Sequence, residues 1–189
     1  MWLSQNSEIR TAFEQELKAY ESQYQKELDF RDSMLRLLAY ENCFERSLLH
    51  AHFTASAWVV NKEKTKALFT HHAKLNRWLQ LGGHADDDEN LREVALTECR
   101  EESGLTSVSL LSQDIFDLDI HTIPERKGVP EHDHYDVRFL FQAPENDLLT
   151  VSNESIDVAW IPFENIGKQT EGNESIQRML NKTLQMSFS

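Results

Sequence analysis

The sequence predicts an α/β (α+β) fold: a mixed β-sheet flanked by helices over residues 51–189, preceded by a helical extension over residues 1–50. Three observations lead there. Before residue 50 the apolar residues recur at helical spacing. On both sides of residues 83–105 they alternate as in strands, and residues 83–105 themselves place an acidic helix between glycines. With 189 residues, 40% of them apolar, the chain can build a core without a disulfide or a structural zinc.

From about Ser7 to Leu28, Ile9, Phe13, Leu17, Tyr20, Tyr24 and Leu28 form one helical stripe. Asp32 is placed to cap a second helix, Ser33 to Tyr40, and a third short helix fits Cys43 to Leu49. No heptad run is long enough for a coiled coil. This extension reads as a helical layer on the main domain, or alternatively as a dimerisation or substrate-lid element. From His52 the pattern changes: HFTASAWVVN is rich in strand formers, Asn61 to Lys64 turns the chain, and TKALFTHH returns. A short strand, Trp78 to Leu81, leads to Gly82 and Gly83; Lys74, Asn76 and Arg77 before it either meet a phosphate or solubilise a loop.

The segment GHADDDENLREVALTECREESGL follows, Gly83 to Leu105. Asp86, Asp87 and Asp88 offer cap oxygens, Glu89 to Ser103 contains neither Pro nor Gly, and Gly104 suits the left-handed residue that ends a helix. Leu91, Ala95 and Cys99 fall on one apolar stripe. Glu98 and Glu102 lie one turn apart beside it, with Glu101 just round the surface. Clustered carboxylates repel one another, and a hard divalent cation between them makes the arrangement favourable.

Beyond this helix, Val108 to Ile123 reads as a long or broken strand, PERKGVPE as a turn, and HDHYDVRFLFQ as the returning strand. If the two pair as a hairpin, one face gathers Asp117, Asp119, His121, His132, His134, Asp136 and Arg138. Such a face is either solvated sheet or a binding wall. His132, His134 and His121 also invite a zinc reading, weakened because no Cys joins them. A polar loop, Asp147 to Glu154, precedes a strand, Ile156 to Ile161, and a closing amphipathic helix starts at Asn173 or Glu174 and carries Ile176, Met179, Leu180 and Leu184.

Charge and cysteine usage narrow the partners. A net charge of −13, from 32 acidic against 19 basic residues, repels a polyphosphate backbone and argues against duplex nucleic acid. A small, metal-complexed phosphate ester stays compatible. Cys43 and Cys99 form no CxxC pair, which suggests a reducing compartment. The opening MWLSQNSEIR lacks the layout of a secretory signal, and no apolar run approaches the ~18 residues of a membrane span. A soluble, cytoplasmic protein with no membrane partner is expected.

The Gly83–Leu105 segment resembles the Nudix box, G-x5-E-x7-R-E-U-x-E-E-x-G-U with U aliphatic. It is matched at Gly83, Glu89, Glu98, Cys99 (taken as the first U), Glu101, Glu102, Gly104 and Leu105, while Thr97 stands where the family has Arg. The resemblance implies an α/β/α sandwich in which the sheet lies between helices, so the hairpin face becomes a substrate wall formed by Asp119, His121, His134, Asp136 and Arg138. It also implies hydrolysis of the diphosphate linkage in a nucleoside diphosphate joined to another group, a nucleotide or nucleotide-sugar type of small molecule. Mg²⁺ or Mn²⁺ is then held by Glu98 and Glu102 with Glu101 and the Gly83 carbonyl assisting, and Glu89 braces the loop. The general base is a box glutamate or a later acid, of which Glu154 leads Asp157 and Glu131. Thr97 supplies neither charge nor fork, so the glutamates are expected to be held more loosely unless Lys74, Arg77, Arg92 or Arg100 substitutes. An isomerase of isoprenoid diphosphates and a non-catalytic nucleotide-binding module remain the alternatives.

Overall fold

The N-terminal pattern becomes two helices, α1 (Trp2–Ala19) and α2 (Gln25–Leu37), rather than the single helix expected from Ser7 to Leu28. The break has a polar cause. Glu27 is fully buried and accepts from Tyr20 Oη at 2.7 Å, from Ser22 Oγ and from the Leu118 backbone N–H at 3.2 Å. Ser22 Oγ also takes the Tyr24 N–H at 3.0 Å, so local side-chain bonding replaces the helical ladder. The expected helix at Cys43 to Leu49 is a run of turns. Arg10 draws off the carbonyls that a continuing helix needs, with Nη2 donating to Leu38 O at 2.8 Å and Tyr40 O at 2.6 Å, and Nη1 to Glu41 O at 3.0 Å.

This computed structural model describes residues 2–126 and 128–186, with side chains from residue 8 onward. The remaining elements are β1 (Ala51–Asn61), β2 (Lys66–His72), β3 (Arg77–Leu79), β4 (Leu81–His84), α3 (Leu91–Ser103), β5 (Ser109–Leu110), β6 (Asp117–Ile123), β7 (His132–Ala143), β8 (Ser155–Pro162), α4 (Phe163–Gln169) and α5 (Glu174–Gln185). Strand pairing follows the order β3-β2-β1-β7-β5, with β4 beside β1, β6 beside β7 and β8 beside β2. The class is the predicted one, helices against a mixed sheet. Among the described residues no helix is long and apolar enough to cross a membrane.

The chain forms two compact units. The first comprises residues up to Ser56, Gly83–Ala95 and Gln113–Phe139; the second comprises Ala57–Gly82, Leu96–Ser112 and residues from Leu140 onward. In the first, α1 packs on α2 and α2 on β6. Its aromatic core centres on Phe53, stacked on Phe44 at 5.0 Å and edge-on to Phe13 at 5.4 Å. The expected hairpin forms in the register Asp117↔Arg138, Asp119↔Asp136 and His121↔His134.

In the second unit β2 lies between β3 and β8, and α4 packs on β8. The predicted turn after β1 is held by Asn61 Oδ1, which accepts from Thr65 N at 2.8 Å and Lys66 N at 3.0 Å. Helix α5 is capped by Asn173 and buries Ile176, Met179 and Leu180; Trp58 Nε1 donates to its Thr183 hydroxyl at 2.9 Å. Helix α4 was not foreseen, since FENIGKQ buries only Ile166 and shows no stripe.

The start of α3 also differs from expectation. Asp86 and Asp87 take left-handed backbone conformations (φ 49° and 75°) in the preceding turn, and Asp88 Oδ1 accepts from Asn90 N at 2.8 Å. Asn90 is the cap, its Oδ1 facing Glu93 N at 3.5 Å and its carbonyl accepting Val94 N at 3.1 Å. At the other end Gly104 is left-handed (φ +74°) as predicted, and a Cβ there would sit 2.7 Å from Thr150 Oγ1.

Candidate functional site

The acidic end of α3 lies in the second unit. Glu98 and Glu102 occupy successive turns and are both half-buried, while Glu101 and Thr97 are exposed. Glu102 Oε2 accepts the Gly82 backbone N–H at 2.9 Å, which anchors the carboxylate to the glycine pair before the helix. Burial pushes the Glu102 carboxyl up to about 7, the Gly82 hydrogen bond opposes this, and the negative charges of Glu98 and Glu154 push it further. Glu98, Glu102 and Glu154 therefore form one electrostatic cluster.

Glu154 is placed by backbone bonds rather than by its side chain. Its carbonyl accepts Ala73 N–H at 2.9 Å and its own N–H donates to Ser152 Oγ at 3.3 Å. The carboxylate is 66% exposed and lies 3.4 Å from Lys74 Nζ. Cys99, accepted in the aliphatic position of the box, is fully buried with its thiol pushed up to about 12, so it packs and takes no part in chemistry. The donors this cluster offers are carboxylate oxygens, the set that suits Mg²⁺ or Mn²⁺, and the Glu98 and Glu154 charges, which add to the effect of burial on Glu102, are ones that a cation would relieve.

Of the basic residues considered as substitutes for the missing Arg, Lys74 meets Glu154 and Arg77 lies 3.7 Å from Glu171, both in the second unit. Arg92, in the first unit, pairs with Glu16 at 2.5 Å and donates to Gln113 O at 2.7 Å. Sequence reading missed Arg10, whose Nη1 lies 3.4 Å from Glu89 Oε1 across 79 residues of chain. Nothing local in the sequence marks such a pair. Asn76 and Arg77 line a cavity of about 280 Å³ with Trp78, Thr170 and Glu171, also in the second unit.

The hairpin face belongs to the first unit and splits into two parts. At one end Arg138 is 2% exposed and its three nitrogens are engaged: Nε with Asp136 at 2.7 Å, Nη1 with Asp117 at 3.1 Å, Nη2 with Asp119 at 3.2 Å. Asp136 also accepts from Thr54 Oγ1 at 3.0 Å and Ser56 Oγ at 2.8 Å. Arg138 and Asp136, expected to meet substrate, are thus placed inside a closed ion cluster, because three carboxylates on one sheet face need a buried cation between them. A phosphate contact through Arg138 requires this cluster to open. At the other end His121 is 42% exposed, with Nδ1 at 3.3 Å from Asp119 Oδ2, and His134 is half-buried beside it. Gly83 and Glu89 lie in the same unit; Glu89 is nearly covered, and burial raises its carboxyl against the lowering effect of Arg10.

Comparison with known proteins adds the family. The family model described as NUDIX domain matches residues 50–182. Among curated proteins nothing matches. Solved structures share the fold: an Ap4A hydrolase binary complex from C. elegans aligns at TM-score 0.56 and 19% identity, covering 69% of this chain and 93% of that one. The MutT protein of Methanosarcina mazei Go1 aligns at TM-score 0.54 and 18% identity, covering 72% and 94%. The E. coli dihydroneopterin triphosphate pyrophosphohydrolase aligns at TM-score 0.54 and 12% identity, covering 71% and 96%.

Proposed function

This chain belongs to the Nudix family and is a hydrolase of phosphoric anhydrides, and we propose that its substrate is a nucleoside diphosphate joined to another group. The observation that carries this reading is the Glu98–Glu102–Glu154 cluster, in which the Glu102 carboxyl is raised to about 7 by burial and by its acidic neighbours. Glu98, Glu101 and Glu102 would hold Mg²⁺ or Mn²⁺, with Glu102 anchored by the Gly82 N–H. When bound, such a cation neutralises phosphate charge and acidifies an attacking water.

The chain's own residues do the rest. Glu154, exposed and held by the Ala73 amide, accepts the proton as the water oxygen bonds to phosphorus and the bridging P–O bond breaks. Glu102 stays aimed by the Gly82 N–H. Within the first unit, Asp119, His121 and His134 offer polar groups suited to a ribose or base, and Asp136 and Arg138 keep Asp119 in place. A nucleotide-type substrate is in keeping with the names of the structural neighbours, an Ap4A hydrolase and a dihydroneopterin triphosphate pyrophosphohydrolase. We assign residues 51–189 to the hydrolase domain and 1–50 to its helical extension, in line with the family match at 50–182. Two free, buried cysteines fit a reducing, cytoplasmic setting.

The test is a panel of nucleoside diphosphate sugars, dinucleoside polyphosphates and nucleoside triphosphates with Mg²⁺ or Mn²⁺, read by product identity. Release of a nucleoside monophosphate with a phosphorylated partner supports the reading. Binding without turnover under either metal would leave a nucleotide-binding module instead.

A further inference from the structure

The first unit gathers five histidines from four strands: His52 on β1, His84 on β4, His121 on β6, and His132 and His134 on β7. The ring centroids of His52 lie 5.2 Å from His84, 5.0 Å from His132 and 5.1 Å from His134; His84 and His134 are 4.7 Å apart. One nitrogen from each of His52, His132 and His134 falls within 4.8 Å of the others.

The tautomers follow from the outer contacts. His132 Nδ1 lies 2.8 Å from Pro130 O, and a carbonyl only accepts, so Nδ1 carries the proton and Nε2 the bare lone pair. His52 Nδ1 faces Leu48 O at 3.4 Å in the same sense. Nε2 of His52 and Nε2 of His134 are buried with no hydrogen-bond partner, and His52 as a whole is only 4% exposed. A buried lone pair with nothing to bind is unfavourable and rare, and here such groups converge. Protons are poor occupants. Burial first, then the neighbouring rings and Arg46, hold His84 down to about 4; burial and the neighbouring rings hold His134 down to about 2. Held down in this way, the His84 and His134 rings are neutral imidazoles, the form that ligates metal.

We propose that His52, His132 and His134, with His84 as fourth donor, form a site for a divalent transition metal of the Zn²⁺ class. Backbone carbonyls on the outer nitrogens of His52 and His132 are the supports that metal-bound histidines use to fix ring orientation. Tetrahedral zinc with Zn–N of about 2.1 Å sets nitrogens about 3.4 Å apart, so ring rotations of about an ångström close the cluster. His121, the third ligand that sequence spacing suggested, is turned instead toward Asp119, and His52 takes its place. The donor set differs in kind from the box carboxylates: imidazole selects transition metals, whereas Mg²⁺ prefers oxygen. Since His84 immediately follows Gly83, a bound ion would pin the start of the box loop to β1 and β7.

The experiment uses full-length protein free of any histidine tag, stripped by chelator and titrated with Co²⁺ in saturating Mg²⁺. We expect the intense visible bands of four-coordinate cobalt, unmoved by Mg²⁺ and abolished by Zn²⁺. His132→Gln and His52→Asn should weaken cobalt binding by more than about 100-fold, beyond the usual cost of an outer-shell change, while Glu102→Gln keeps the bands. Far-UV circular dichroism checks that the variants fold, and the Mg²⁺ competition on the unsubstituted protein stands whether or not they do. Weak six-coordinate bands, displacement by Mg²⁺, or loss of the bands in Glu102→Gln would overturn the proposal.

Discussion

Replacing Glu102 by Gln should stabilise the metal-free protein while removing its activity. In the folded chain the Glu102 carboxyl is raised from the ordinary 4.5 to about 7, chiefly by burial. Below about pH 4.5 the group is protonated whether the chain is folded or not, so it has no effect on the pH dependence there. Between 4.5 and 7 the folded chain keeps a proton that the unfolded chain has lost, and stability falls as pH rises. Above 7 both forms are ionised and the loss is complete. At about 1.4 kcal/mol per pH unit, ionised Glu102 costs the fold about 3 kcal/mol at pH 8. For a chain of this size that is roughly 6–12 °C in Tm. Gln keeps an oxygen for the Gly82 N–H and carries no charge. Thermal melts in EDTA at pH 8 should therefore show Glu102→Gln melting higher than the parent, with the gap closing toward pH 4. Saturating Mg²⁺ should reverse the order, because the parent gains binding energy that the variant lacks. An unchanged or lower Tm for Glu102→Gln in EDTA, or a gap that ignores pH, would refute this.

Three further outcomes follow from other parts of the molecule. Arg138→Ala leaves three carboxylates facing one another inside the first unit, and urea unfolding should show a loss of about 3–5 kcal/mol; a loss under about 1 kcal/mol would mean the cluster is already open to water. Glu154→Gln should lower kcat by roughly 10²–10⁴-fold with KM little changed, and an unaltered kcat moves the base to a box glutamate. Thr97→Arg should lower the Mg²⁺ concentration needed for half-maximal rate, since a guanidinium fork there can hold neighbouring glutamates in position for the ion; no change would mean that residues already present, Lys74 among them, do so.

Much of the fold was legible because it rests on local patterns. Alternation read the hairpin and the face its polar residues share; the register, Asp117 opposite Arg138 and His121 opposite His134, came from the structure. The end of α3 at Ser103, and the left-handed φ of Gly104 after it, followed from the chain's own grammar. Two of the misses, the break in the first helix and the turns after α2, share a cause in long-range polar contacts. Glu27 breaks the first helix by collecting partners from both its neighbours and Leu118, and Arg10 unwinds residues 38–41 while reaching Glu89. In the candidate site, Glu98 and Glu102 were read from one turn of helix, whereas burial was not. Alternation put Arg138 and His134 on one face but could not say that the first is sealed by three carboxylates and the second meets His52 and His84.

The most direct test of metal-dependent hydrolysis at Glu98 and Glu102 is a Mg²⁺ titration of turnover, parent and Glu102→Gln side by side, on the nucleotide that the panel shows to be cleaved fastest. We expect the parent rate to saturate with Mg²⁺ and vanish in EDTA, and the variant to stay at least about 100-fold slower at every Mg²⁺ concentration. Equal rates for the two proteins at saturating Mg²⁺ would contradict the assignment of the site.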